Sequence, residues 1–229
     1  MQTLTKILLQ EGLTKPVFSD AQIARVVDGT DQRRYNLVHR AVKAGELHRL
    51  IRGLYLLSEP YRDYNSHAFS LAQMLMPGSY VSLETALSYH GWIPEAVHVT
   101  ASIVPSSKTV DFDDEVVGRF SFHPLSIMKG HFLELVERVT NDQQAMLIAS
   151  PIRALMDLVC LRKLEWQGLE WFEQSMRIEP ELLAKVSTQQ LGTLKSIYKQ
   201  KRMQQYIAEL EKALGIERSL DTGLKRQND

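Results

Sequence analysis

Arg33, Asn36, Arg40 and Lys43 recur at i, i+3, i+7 and i+10 in DQRRYNLVHRAVKAGELHRLIRGLYLL, residues 31–57. On an α-helix that spacing places all four on one solvent-facing stripe. The residue types suit one chemistry. An arginine can offer two parallel N–H donors to the guanine edge, and asparagine or glutamine can pair with adenine. A helix lying in a DNA major groove brings its N-terminal residues closest to the bases. Gln32, Arg33, Asn36 and Arg40 are therefore expected to contact base edges. Arg34, Lys43, Arg49 and Arg52, with Gly53 in the turn, are expected at phosphates, which fix register without reading sequence. Arg34 could instead pack beside the apolar face.

The elements that would hold these side chains are legible around them. Leu37, Val38, Ala41 and Val42 give the helix an apolar face, and Gly45 follows Ala44 where a helix C-cap is expected. Residues 47–50 and 54–57 can pair as two strands around Arg52-Gly53. Upstream, Ser19 is a good N-cap for a helix over 20–27, with Asp20 in its first turn. Asp28-Gly29-Thr30 forms a short turn, and Thr30 can cap the next helix. A first helix covers 4–10. Helix, helix, short turn, helix and hairpin make up the pattern of a winged helix-turn-helix within residues 1–60.

Charge is unevenly spread. Over 229 residues the net charge is zero, but residues 1–60 carry net +3, residues 61–150 net −5 and residues 151–229 net +2. Between residues 31 and 52 six basic side chains face two acids. A basic head on an acidic middle excludes a uniform nucleic-acid coat. It fits a DNA-reading module joined to a body with another task. The competing explanation is a solvated helix face, or a winged helix that docks a protein. A single cysteine, Cys160, excludes an internal disulfide and fits a reducing compartment. No apolar run approaches the ~20 residues of a membrane span, and no signal peptide is apparent, so a cytoplasmic location and no membrane partner are expected.

The remainder reads as α+β: a mixed α/β middle domain over 61–162, a helical C-terminal part of the same body over 163–217, and a disordered tail over 218–229. Helices are expected over 67–76, capped by Ser66, and over 83–90, capped by Ser82. Val97, Val99, Ala101 and Ile103 alternate as a half-buried strand. A polar loop should cover 106–114 and strands 116–122, 135–140 and 145–149. Ser150-Pro151 starts a helix over 152–161 with Ile152, Leu155, Met156 and Val159 on one face. A short helix over 180–186 and a longer one from Ser187 follow, the latter with Lys195, Lys199, Lys201 and Arg202 outward. No catalytic motif is present. Ser82, His90 and Asp157 could be drawn as a triad on residue type alone, and the acidic run 111–115 lacks the regular ligand spacing of a calcium loop. No enzyme activity, metal or cofactor is expected.

Three stretches resemble the AbiEi family of antitoxins from bacterial type IV toxin–antitoxin systems. LIRGLYLL (50–57) resembles that family's arginine-glycine-aromatic wing. YVSLETALSYHGW (80–92) is similar to the segment after its linker, and SPIRALMDL (150–158) to a segment where an arginine precedes a leucine-rich stretch and an aspartate. Arg52 and Gly53 match as wing residues; Ser82, Arg153 and Asp157 match as body positions without assigned chemistry. The resemblance spans about residues 19–162. It implies a repressor that binds double-stranded DNA at inverted repeats upstream of its own operon, where two copies would sit as a pair. It also implies a counterpart toxin of nucleotidyltransferase type.

Overall fold

The computed structural model describes residues 1–141 and 144–225, with side chains as far as Gly215. The chain is mixed α+β, with ten α-helices and two β-sheets among the described residues. It divides into two compact units: 1–75 with 141–144, and 76–140 with 145–229. The division falls after residue 75, one helix beyond the boundary expected between residues 60 and 61.

The first unit runs α1 (Thr3–Gln10), β1 (Val17–Ser19), α2 (Asp20–Val26), α3 (Asp31–Lys43), β2 (Leu47–Ile51), β3 (Leu54–Leu57) and α4 (Ala68–Leu75). Ser19 closes a capping box with Gln22, its hydroxyl accepting from the Gln22 N–H while the Gln22 side chain accepts from the Ser19 N–H. The Thr30 hydroxyl accepts from the Arg33 N–H and caps α3. The three strands pair antiparallel in the order β1-β3-β2. Leu4, Leu8, Phe18, Ile23, Ala41 and Leu57 meet beneath them as one core. Both carboxylate oxygens of the buried Glu46 accept from the Gln2 N–H, at 2.9 and 2.8 Å, which pins the start of α1. Ser66 does not cap α4. The Phe69 N–H instead donates to Nδ1 of His67, and the helix begins at Ala68.

The second unit holds a six-stranded mixed sheet in the order β6-β7-β5-β4-β9-β8. Its strands are β4 (Tyr80–Val81), β5 (Val99–Val104), β6 (Val110–Asp114), β7 (Gly118–Pro124), β8 (Val136–Asn141) and β9 (Gln144–Ala149), and α5 (Leu83–Tyr89) follows β4. The expected loop over 106–114 is in part strand. β6 is an edge strand on β7, and its acidic outer positions hide the period-two signal. Five helices after β9 complete the described part: α6 (Pro151–Arg162), α7 (Glu170–Met176), α8 (Pro180–Ala184), α9 (Thr188–Ile197) and α10 (Lys201–Lys225). α6 is not one-faced, since every residue from Ile152 to Cys160 is buried. The long helix expected from Ser187 is broken at Tyr198, where the backbone pairs with a loop instead. The Met128 N–H donates to the Ile197 carbonyl and the Lys199 N–H to the Ser126 carbonyl. The tail expected from 218 begins inside α10, whose backbone is helical to Lys225, and its last residues, 226–229, lie outside the described residues. No described helix is long and apolar enough to cross a membrane.

Candidate nucleic-acid interface

α3 presents its polar side outward because its other side is committed. Leu37, Val38 and Ala41 are buried, while Asp31, Gln32, Arg33, Tyr35, Asn36, His39, Arg40 and Lys43 are exposed. The outward side chains are partly ordered by one another. The Gln32 amide donates to Oδ1 of Asn36 at 3.1 Å, and Nε of Arg40 donates to the Asn36 carbonyl at 3.2 Å.

The two arginines at the start of α3 behave differently from the rest. The Arg33 guanidinium folds back onto the Asp28 carbonyl. Arg34 is half-buried. Its guanidinium donates to the Gly29 carbonyl at 2.6 Å and the Val27 carbonyl at 3.4 Å, and it pairs with Asp31. Carbonyls left over at the end of α2 and in the turn are thereby satisfied. Of the two roles open to Arg34 from sequence, packing within the unit is the one seen here. Arg33 can reach a base only by leaving Asp28.

The hairpin carries the rest. Arg49 lies exposed on β2, in register with Tyr55, and Arg52 is exposed at the turn. Gly53 has φ +80, and its carbonyl accepts from the Asp20 N–H at 2.9 Å. A side chain at Gly53 would meet Oδ2 of Asp20 at 3.1 Å. Asp20 also takes the Tyr55 hydroxyl, and burial together with that carboxylate pushes the phenol above its ordinary value. A cleft of about 510 Å³ separates α2, α3 and this turn, with Arg52, Tyr35 and Tyr55 in its walls.

Sequence reasoning passed over Tyr35 and His39. Tyr35 is 64% exposed and its ring lies nearly parallel to that of His39, at 13° and 6.2 Å between centroids. The available signal was their angle on the helix. At about 100° per residue His39 falls beside Gln32 and Lys43, opposite the apolar face, and Tyr35 falls at the rim between His39 and Val42.

The body positions Ser82, Arg153 and Asp157 come together in a buried network in the second unit. Asp157 Oδ1 accepts from Arg153 Nε at 2.9 Å and the Tyr198 hydroxyl at 2.8 Å, while Oδ2 accepts from the Tyr80 hydroxyl at 2.9 Å and the Ser82 hydroxyl at 2.8 Å. Arg153 also donates to the Glu134 carbonyl at 2.7 Å and to the Tyr80 hydroxyl. Burial works against the Arg153 charge, but Asp157 and the two phenols hold the guanidinium protonated more firmly than usual. Burial first, and Asp157 second, push Tyr80 and Tyr198 well above the ordinary phenol range.

This network corrects one expectation and accords with the small weight given to a triad. Ser82 makes no side-chain cap on α5, because its hydroxyl is spent on Asp157. His90 takes no part in a triad; its Nε2 meets the Ala149 carbonyl at 3.0 Å. A fully buried aspartate with four donors is a structural group, with no access for substrate. Burial also raises the Cys160 thiol to about 11, leaving it a poor nucleophile. Of the four basic residues expected outward near the C-terminus, Lys195 pairs with Glu211 and Arg202 donates to the Cys160 carbonyl at the end of α6.

Among the described residues no three His, Cys, Asp or Glu side chains could share a metal ion. No family model matches this chain, and no curated protein matches it.

Proposed function

We propose that the chain is a DNA-binding transcriptional repressor whose first unit acts as a winged helix-turn-helix. α3 would be the recognition helix and the β2–β3 hairpin the wing. The observation that supports this most directly is the build of α3: a face locked in the core and an outward face of amide, aromatic and basic side chains whose single acid, Asp31, is paired with Arg34. Beside it the hairpin exposes Arg49 and Arg52. Gln32, Asn36 and Arg40 would meet base edges, with Arg33 joining them by releasing Asp28. Lys43, Arg49 and Arg52 would meet phosphates.

The second unit, on the family resemblance, would be an antitoxin body that counteracts a nucleotidyltransferase-like toxin, with the repressor controlling its own operon. In favour, the two resembling stretches of this unit supply Tyr80, Ser82, Arg153 and Asp157 to a single network. They behave as one structural signature.

The test is a footprint of the full-length protein on DNA upstream of its own gene, with random DNA as competitor. A protected inverted repeat is the expected result and gives the half-site spacing. Absence of protection, with the fold retained by circular dichroism, would replace this proposal with a protein-docking winged helix. The antitoxin half is tested by co-expression with the gene encoded alongside, where relief of growth arrest is expected.

A further inference from the structure

The outward face of α3 carries two parallel rows, each stepping by four residues. Gln32, Asn36 and Arg40 form one; Tyr35, His39 and Lys43 form the other. The first row is polar and tied together through Asn36. The second begins with an aromatic pair that fills no core. A helix face that only needed solvation would place polar or charged side chains there. Here a large ring is instead held in water, nearly parallel to an imidazole one turn along.

We propose that Tyr35, braced by His39, reads the C5-methyl group of a thymine in the major groove. This rests on the DNA-binding role proposed above for α3. The thymine methyl is the apolar group displayed on a base edge in that groove, and an aromatic face can cover it while an amide or guanidinium cannot profit from it. The two rows then divide the work. The polar row pairs with purine donors and acceptors, and the aromatic row senses one pyrimidine's methyl beside them. His39 is a positioning residue: its ring limits the rotamers open to Tyr35, so less freedom is lost on binding.

Deoxyuridine lacks only the thymine methyl and is the probe. Each thymine of the footprinted site is replaced in turn, and affinity of the full-length chain is measured. One position is expected to lose about fourfold, the factor that burial of one methyl supplies. Tyr35→Ala should bind the thymine and deoxyuridine duplexes alike, whereas Tyr35→Phe should keep the discrimination. His39→Ala should reduce it without abolishing binding. A wild-type protein indifferent to every substitution overturns this proposal while leaving DNA binding intact, as does a Tyr35→Ala variant that still discriminates. A wild-type protein that protects no site removes both proposals together.

Discussion

Arg153 and Asp157 face each other at 2.9 Å, one turn apart on α6, and neither side chain is exposed to solvent. Removing one partner leaves the other charged in a place water cannot reach. Asp157→Ala is therefore expected to cost about 3–5 kcal/mol, measured by urea unfolding. Replacing both residues with apolar ones should cost less than the sum of the single changes. A loss below about 1 kcal/mol for Asp157→Ala would mean that the pair is more hydrated than its burial indicates.

The two phenols of that network predict an alkaline limit. An unfolded tyrosine ionises near pH ~10, whereas Tyr80 and Tyr198 stay protonated well above it in the fold. Above that pH the unfolded chain binds fewer protons than the native one, so stability falls as pH rises. The contribution is fully present below pH ~10 and is lost progressively above it. Tyrosinate absorbance should rise abruptly with unfolding, and the step should shrink in Tyr80→Phe and Tyr198→Phe. A gradual rise of both phenols before unfolding would contradict the hydrogen bonding described.

Arginines on and near α3 should separate into two kinds. Arg34→Ala removes donors from the Val27 and Gly29 carbonyls and a partner from Asp31. It should cost about 1–2 kcal/mol of stability. Arg40→Ala should stay within about 0.5 kcal/mol in stability and lose affinity mainly at one base pair. Arg52→Ala should weaken binding to all sequences and flatten the salt slope by about one unit. Thermal melts and titrations at several salt concentrations read all three. Equal loss on cognate and random DNA for Arg40→Ala would move it among the phosphate contacts.

Gly53 couples the hairpin turn to α2. Gly53→Ala would hold an L-residue at φ +80 and press its Cβ toward the Asp20 carboxylate. A loss of about 1 kcal/mol or more is expected, with the Tyr55 phenol shifting back toward its ordinary value as Asp20 moves. An unchanged melting temperature would show that the turn adapts freely.

Local signals in the sequence carried the first unit well. Ser19 and Gln22, Thr30 and Gly45 each declare a helix end through a bond made within a few residues. What stayed hidden depends on distant partners. β1 is three residues long and becomes a strand only by pairing with β3 some forty positions later. β6 carries acidic side chains at an edge and reads as loop until β7 is beside it. Ser82 has the residue type of a cap, yet Asp157, far along the chain, claims its hydroxyl. Tyr198 lies in an unbroken helical pattern, and the bond from its hydroxyl to Asp157 accompanies the break. At the candidate interface the residue types were legible and packing was one of two roles open to Arg34, but the fold-back of Arg33 was not legible, because it answers to a carbonyl rather than to a side chain.

β4 is two residues long and sits between β5 and β9 in the middle of a six-stranded sheet. Its pairing is confined to Tyr80 with Ile103, Val81 with Ser102 and Val81 with Ile148. The same Tyr80 that supplies a rung there sends its hydroxyl into the Arg153–Asp157 network. The sheet is thus two shorter ribbons sewn along a narrow seam, and the buried charges hold the stitch. All-or-none melting of this unit is expected to depend on that seam. Once it is cut, the ribbons are free to melt separately, and a single cooperative transition becomes two.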